Sequence, residues 1–161
     1  MNLSLNWLSE FVPGTKEKDA KSYCDRMTDT GSKVEGFEIL ANDIENVKVA
    51  RVPSMPRHEN SDHLWVCRCD IGDRTVQIVT GAQNVFEGAI VPACVAPAKL
   101  PGGVNIKAGK LRGVESNGML CSINELGLTE HDMPGADDKG ILILGEEFAD
   151  KVGEDIRDAL M

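Results

Sequence analysis

Residues 64–80, LWVCRCDIGDRTVQIVT, contain two apolar runs on either side of a Gly-Asp turn signal. Trp65, Cys67, Cys69 and Ile71 occupy every second position of the first run, so a strand would carry them on one face. The pattern predicts two short strands joined by a turn, with Cys67 and Cys69 in the core. A Cys-x-Cys metal site is the weaker alternative.

Short apolar runs continue along the chain from about Val34, separated by Gly, Pro, Asn and Asp residues. Many short strands at this spacing favour a small barrel or a sandwich. We therefore expect a mainly β fold with flanking helices. The candidate strands are residues 47–52, 64–71, 75–80, 89–95, 104–111 and 140–144.

Helical patterns flank these runs. The clearest one begins at Thr15 and ends before Gly31, with an apolar face made of Ala20, Tyr23, Cys24 and Met27. The run from Leu5 to Phe11 predicts one or two helical turns ahead of it. Ser122 and Glu125 have the spacing of a capping box for a short helix over 122–128, and another helix is expected over 155–160.

Length and composition describe an ordinary globular domain. The chain has 161 residues, of which 42% are apolar and 27% charged, so disordered and coiled-coil classes do not fit. No apolar run reaches the roughly 20 residues that a membrane-spanning helix needs, and no secretory signal precedes the first strand patterns. We expect a cytoplasmic protein whose five cysteines are reduced and mostly buried.

Charge is distributed unevenly along the chain. The net charge of −9 belongs to residues 115–161, which carry 12 acids and three bases, while residues 1–114 are balanced. Residues 88–114 contain no acid and four bases, namely Lys99, Lys107, Lys110 and Arg112. A polyanion responds to the local potential within about 10 Å, so this stretch could bind one. The alternative is a solvated strand edge that carries lysines against aggregation.

Catalytic motifs are incomplete in this chain. His58 and His63 are five positions apart, whereas the two histidines of a zinc protease helix are four apart. Residues 103–110 lack the glycine spacing and the hydroxyl residue of a phosphate-binding loop. Ser116 falls one position late for a nucleophile elbow. We therefore predict no catalytic residue and no metal site.

The sequence KAGKLRG at residues 107–113 is the best candidate for a binding strand. Alternation along a strand would place Lys110 and Arg112 on one face, beside a glycine, where they could hold a phosphate group. The chain has only seven aromatic residues, two Trp, one Tyr and four Phe. A platform for base stacking is therefore scarce, and any nucleic acid would be bound through its backbone.

Residues 110–122, KLRGVESNGMLCS, followed by ELGL at 125–128, resemble the signature of the tRNA-binding OB-fold domain. Three further blocks agree in order, at residues 58–67, 78–85 and 100–103. That domain occurs in the phenylalanyl-tRNA synthetase beta chain, in an appendage of many methionyl-tRNA synthetases and in freestanding tRNA-binding proteins. The block HENSDHL departs from the family's HPNADKL by losing a lysine and gaining an acid.

The first residues of the chain indicate which of these relatives it resembles. LNWL at 5–8 and GSKVEG at 31–36 resemble the opening of the phenylalanyl-tRNA synthetase beta chain, which has a helical segment ahead of its barrel. The resemblance implies a five-stranded OB-fold barrel over 41–148, preceded by a helical or strand element over 1–40. Residues 149–161 would begin the next segment of a longer chain.

The same resemblance implies a role in tRNA binding without catalysis. Partners would be tRNA, the synthetase alpha chain and the rest of the beta chain in an alpha2-beta2 assembly, with ATP and Mg used elsewhere in the parent enzyme. Two alternatives stay open, a freestanding dimeric tRNA-binding protein and a structural module that contacts no RNA. The expected phosphate contacts are Lys99, Lys107, Lys110 and Arg112, with Asn84 and Ser122 as polar contacts beside them.

Overall fold

The computed structural model describes residues 3–15, 19–39, 43–137 and 139–160. Their backbone divides into two compact units, one that ends at Ile39 and one that runs to Leu160. The first contains only helices and connecting segments, and the second contains all the strands of the described residues. The bounds predicted for the domains, at residues 40 and 148, remain predictions for the natural protein.

Two helices form the first unit. Helix α1 spans Leu5–Phe11 and begins after Ser4, whose hydroxyl accepts a hydrogen bond from the Trp7 amide at 3.3 Å. Helix α2 spans Ala20–Asp29 and is capped by Asp19. The pattern starting at Thr15 therefore placed the helix too early, because the Asp19 carboxylate accepts the Ser22 amide at 3.0 Å and fixes the first turn there.

The end of α2 follows the prediction at Gly31. This glycine has a φ of +104°, a conformation that favours a residue without a Cβ. Its amide donates to the Thr28 carbonyl at 3.1 Å, and the Ser32 amide donates to the Met27 carbonyl at 3.0 Å. These two bonds satisfy carbonyls that the helix end would otherwise leave without donors.

The second unit is built from short strands. In chain order they are β1 (Glu45–Ser54), β2 (Trp65–Asp70), β3 (Thr75–Thr80), β4 (Ile90–Leu100), β5 (Val104–Ile106), β6 (Gly109–Leu111), β7 (Val114–Ser116) and β8 (Gly118–Leu120). The first four match predicted strands, with β1 and β4 longer than the patterns indicated. The sequence pattern does not predict strands β7 and β8, because three residues are too few to show alternation.

These strands form a nearly closed antiparallel barrel. The sheet order is β3-β2-β1-β4, and β4 also pairs with β8. The segment between β7 and β8 returns to β3, where the Asn117 amide donates to the Gln77 carbonyl at 2.8 Å. The predicted mainly β fold, a five-stranded OB-fold barrel preceded by a small helical element, is confirmed in its five strands β1, β2, β3, β4 and β8.

In the middle of a strand such as β2, every second side chain is buried, and these side chains form the core of the barrel. Cys67 and Cys69 are fully buried between β1 and β3, while Arg68 between them is exposed, as the sequence predicted. A second group of buried side chains includes Ile90, Cys94 and Leu126. Helix α3, Ile156–Leu160, adds Ile156 and Ala159 to this second group. The predicted helix near the end of the chain is therefore present.

Three predicted elements differ from the structure. Residues 104–111 form β5 and β6 separately, with Lys107 and Ala108 between them outside any strand. Residues 140–144 form a single bridge, between Leu144 and Ile90, instead of a strand. The Leu144 amide donates to the Ile90 carbonyl, but the Leu142 amide donates to the Cys121 carbonyl, so no one strand pairs with the whole segment. Residues 122–128 form a turn instead of a helix: the capping bond from the Ser122 amide to Glu125 Oε2 exists at 2.7 Å, but Gly127 adopts a φ of +68° and ends the turn.

No helix formed by the described residues is long and apolar enough to cross a membrane.

The contact between β4 and β8 gives the first test of this packing. A Cβ on Gly118 would overlap the Cys94 carbonyl oxygen, which belongs to the backbone and cannot rotate away. We expect Gly118→Ala to lower the free energy of unfolding by about 3 kcal/mol or to prevent folding. Urea denaturation followed by circular dichroism measures this change.

The matched control is Gly109→Ala in the exposed strand β6. A Cβ there meets no atom within 4 Å, and the glycine does not have a positive φ. We expect its unfolding free energy to stay within about 1 kcal/mol of the unmodified chain. Equal stability of the two variants would contradict the close approach of β8 to β4.

Candidate nucleic-acid interface

Residues 104–116 connect β4 to the last barrel strand and form what we call the basic arm. It consists of β5, the Lys107-Ala108 link and a separate two-stranded hairpin of β6 and β7. Arg112 and Gly113 make the hairpin turn with φ values of +47° and +87°. Positive φ at both central residues is the type I′ geometry that suits the twist of a tight hairpin.

This turn corrects one expectation about the two cations. Arg112 does not alternate with Lys110 on one strand face, because Arg112 lies in the turn and Lys110 lies in β6 opposite Glu115. Lys107, Lys110 and Arg112 are all exposed. In the part of the chain that the structure describes, none of the three lies within 4.0 Å of a carboxylate. Their charges are therefore available to a ligand.

The arm is attached to the barrel by side chains that the sequence did not indicate. At its base, Gln77 Nε2 donates to the Glu115 carbonyl at 2.8 Å. Ser116, which is buried, accepts the Val79 amide at 3.0 Å and donates to the Gly118 carbonyl at 2.9 Å. At its tip, His58 Nε2 lies 3.1 Å from the Leu111 carbonyl. His58 belongs to the loop between β1 and β2, so it joins two loops of the barrel.

Lys99 has a different environment from the cations of the arm. Its Nζ lies 2.8 Å from Glu45 Oε1 on the paired strand β1, and both side chains are about half exposed or more. An exposed ion pair of this kind is weak, but it reduces the positive potential that an approaching anion would meet. Lys99 is therefore the least available of the four predicted phosphate contacts.

Asn84 and Ser122 hold other parts of this unit together. The Asn84 side chain donates to the Ile141 carbonyl at 2.8 Å and accepts the Ile141 amide at 3.1 Å, so both ends of its amide are engaged. Ser122 Oγ donates to Glu125 Oε2 at 2.9 Å and accepts the Glu125 amide at 3.3 Å. Contact of either side chain with RNA remains a prediction.

Two arginines on the barrel wall extend the positive surface. Arg68 on β2 and Arg74 before β3 are exposed, and among the described residues neither lies within ion-pair distance of a carboxylate. They line an open groove whose other walls include Thr75, Gln77, Ala96 and Asn117. The sequence did place Arg68 on the outer face of its strand, but nothing in it showed that Arg74 lies beside the same groove.

Several cations elsewhere in the barrel unit have carboxylate partners. Lys48 lies 4.0 Å from Asp73, Arg51 lies 3.9 Å from Glu146, and Arg157 makes a 2.9 Å contact with Asp155. Among the described residues, Arg68, Arg74 and the cations of the basic arm have no carboxylate partner, and neither do Arg57, Lys139 and Lys151 elsewhere in the unit. In an OB-fold barrel, the face of the second and third strands and the loops between strands 1 and 2 and strands 4 and 5 bind oligonucleotides.

Three buried cysteines of the barrel have raised pKa values. Burial raises the pKa of Cys67 to about 11 and that of Cys69 to about 12. A hydrogen bond with Cys94, 2.9 Å between sulfurs, and then burial raise the pKa of Cys121 as well. These thiols stay protonated at neutral pH, and a protonated thiol is a poor nucleophile and metal ligand. Among the described residues, no three His, Cys, Asp or Glu side chains are grouped so that they could hold a metal ion.

A comparison with known families identifies the family to which the barrel unit is similar. A family described as "Putative tRNA binding domain" matches residues 47–146, which include the barrel strands except the first two residues of β1, and the whole basic arm. This chain belongs to that tRNA-binding domain family. The matched region also contains Arg68, Arg74 and His58.

Individual relatives are larger proteins. The domain is 45% identical to the phenylalanine-tRNA ligase beta subunit of Symbiobacterium thermophilum over 99% of this chain and 17% of that protein. It is 39% identical to the beta subunit of Clostridium acetobutylicum over 99% of this chain and 19% of that protein. The chain thus spans less than a fifth of these relatives, and it is homologous to their N-terminal region. The alternative of a freestanding protein is not favoured.

Among solved structures, the MetRS related protein from Pyrococcus horikoshii is similar over 66% of this chain and 84% of its own, with 23% identity and a TM-score of 0.46. That similarity is too low to bear on function.

Thiol labelling tests the buried cysteines. At pH 8 we expect Cys67 and Cys69 to react with a maleimide at least about a hundredfold more slowly than Cys24, which is partly exposed in α2. Mass spectrometry of peptides taken at successive times measures each rate. Fast labelling of the pair, or binding of one zinc ion per chain, would instead support the Cys-x-Cys metal site.

Asn84 allows a second test, which separates stability from binding. Asn84→Ala removes both hydrogen bonds to the Ile141 backbone, so we expect the unfolding free energy to fall by about 1–3 kcal/mol. The control is Gln83→Ala, whose exposed amide donates to the Gly81 and His63 carbonyls and whose loss should cost less. Unchanged tRNA binding by a folded Asn84→Ala variant would contradict the predicted contact of Asn84 with RNA.

Proposed function

We propose that this domain binds the sugar-phosphate backbone of tRNA with its basic arm, as part of the beta subunit of a phenylalanine-tRNA ligase. The observation that carries the proposal is a set of exposed cations, Lys107, Lys110 and Arg112, that have no carboxylate within 4.0 Å among the described residues and lie inside the region that matches the tRNA-binding family. The domain would contribute binding to aminoacylation, and catalysis would belong to other parts of the enzyme.

The groove beside Arg68 and Arg74 supports the same orientation of RNA. Both guanidinium groups lie on the wall that OB-fold barrels use for oligonucleotides. Arginine suits this task because its planar fork can donate two hydrogen bonds to one phosphate. RNA that follows the arm and this wall would meet five cations. Lys99, Asn84 and Ser122 would contribute less, since each has a partner within the domain.

Aromatic side chains favour recognition of the backbone over recognition of bases. In the described part of the barrel unit, Phe86 is the large aromatic residue that is mostly exposed. Trp65 is covered by the Arg57 guanidinium, 4.8 Å from the ring centroid. A single exposed ring does not make a platform on which successive bases stack. We therefore expect affinity for tRNA with little preference for its sequence.

The proposed function also places the domain within a larger enzyme. By resemblance, the domain would work in an alpha2-beta2 assembly with the synthetase alpha chain and the remainder of the beta chain, in the cytoplasm. ATP and Mg would bind in the catalytic part of that assembly. The residues of this domain would hold tRNA and leave the transfer of phenylalanine to the alpha chain.

The proposal is tested by replacing Lys107, Lys110 and Arg112 with alanine and measuring binding of unfractionated tRNA over a salt series. We expect affinity at 0.1 M salt to fall tenfold or more. Log affinity falls with log salt, and on a duplex each phosphate contact makes this slope steeper by about 0.9. Loss of three contacts should therefore make the slope less steep by about 2 to 3. Fluorescence anisotropy with labelled tRNA measures both quantities.

A matched triple variant controls for net charge. Lys48, Arg51 and Lys139 are cations outside the arm, two of them paired with carboxylates, and alanine at all three gives the same charge change. Its affinity should stay within about threefold of the unmodified chain. An equal loss in both variants would mean that only total charge matters, and no loss in the arm variant would favour a structural role for the domain.

A further inference from the structure

His58 is a buried residue whose two ring nitrogens both have backbone partners. The residue is 3% exposed, although it belongs to the otherwise largely exposed loop between β1 and β2. Its Nδ1 accepts a hydrogen bond from the Asn60 amide at 3.0 Å. Its Nε2 lies 3.1 Å from the Leu111 carbonyl, at the tip of the basic arm.

These partners determine the protonation of the ring. A backbone amide can only donate and a backbone carbonyl can only accept, so Nδ1 must be unprotonated and Nε2 must carry the hydrogen. His58 is therefore neutral, with its donor directed at the arm. A histidine ring has one donor nitrogen and one acceptor nitrogen only when it is neutral, because both nitrogens are donors in the protonated ring.

The contact matters because the hairpin of the arm is very short. Strands β6 and β7 have three residues each and form a sheet separate from the barrel. A two-stranded hairpin alone is marginally stable in water. Its base is fixed by Gln77 and Ser116, which leaves the tip to other contacts. Leu111, which accepts the His58 hydrogen bond, lies between Lys110 and Arg112.

We propose that His58 is a positioning residue for tRNA binding: its Nε2–H holds the Leu111 carbonyl so that Lys110 and Arg112 are presented in one arrangement. A ligand that meets a prearranged tip loses less conformational entropy when it binds. His58 itself does not touch RNA in this scheme. The inference rests on the proposed function, and it adds the loop between β1 and β2 to the machinery of the arm.

Two substitutions separate the two hydrogen bonds of the ring. In His58→Gln, the amide nitrogen can occupy the place of Nε2 and donate to Leu111, but no acceptor remains for the Asn60 amide. In His58→Asn, the amide oxygen can replace Nδ1, but the side chain is too short to reach Leu111. We expect tRNA affinity to stay within about twofold in His58→Gln and to fall roughly three- to tenfold in His58→Asn, as for one lost hydrogen bond.

The control is His63→Asn, an exposed histidine in the same loop, which should bind tRNA like the unmodified chain. Equal binding by both His58 variants and the unmodified chain would overturn the inference, and so would a loss in His58→Gln but not in His58→Asn. If the arm triple variant loses binding while both His58 variants keep it, the proposed function stands and only this inference fails. If the triple variant also binds normally, the proposed function fails.

An NMR measurement on the unmodified chain covers the case in which a variant does not fold. Nitrogen-15 shifts of the imidazole ring distinguish the two tautomers. We expect the Nε2–H form of His58, with a slowly exchanging proton close to Leu111. The Nδ1–H form, or a ring proton that exchanges at the rate of His63, would overturn the inference.

Discussion

The closure of the barrel at Ser116 is the interaction on which the rest of the structure depends. Its buried hydroxyl accepts the Val79 amide at 3.0 Å and donates to the Gly118 carbonyl at 2.9 Å, so one side chain bridges β3 to the start of β8. The same residue ends the basic arm. The same two hydrogen bonds therefore close the barrel and anchor the arm. Displacing the arm at its base would break the link between β3 and β8.

Ion pairing, more than the number of cations, distinguishes the proposed binding surface from the rest of the domain. Lys48, Arg51 and Lys99 each have a carboxylate within 4.0 Å, whereas Arg68 and the cations of the arm have none among the residues described. Exposed pairs add little stability. Their larger effect is on the surface potential, because they cancel positive charge on β1 and β4, whereas the charge of Arg68 and of the arm is not cancelled by a described carboxylate within 4.0 Å.

The sequence predicted those parts of the fold that depend on local pattern. Residues 75–80 form a strand with the predicted ends because alternation, a turn signal and β-branched residues all agree there. Residues 104–111 do not form one strand, because the hairpin register and the left-handed conformation of Arg112 depend on pairing with β7. The partners of the site residues lie far away in the chain: Lys99 meets Glu45, and His58 meets Leu111. No local pattern can indicate such contacts.

The net charge of −9 imposes a condition on how the domain meets tRNA. Beyond the Debye length of about 8 Å at physiological salt, both molecules are negative and screened from one another, so little draws them together. Within that distance, the face of the arm and the barrel wall offers exposed cations that have no carboxylate partner among the described residues. Attraction then favours the orientation in which this face meets the RNA, and the acids elsewhere disfavour the others. An acidic domain with a small, prearranged cationic arm can thus select how it binds a polyanion without recognising any base.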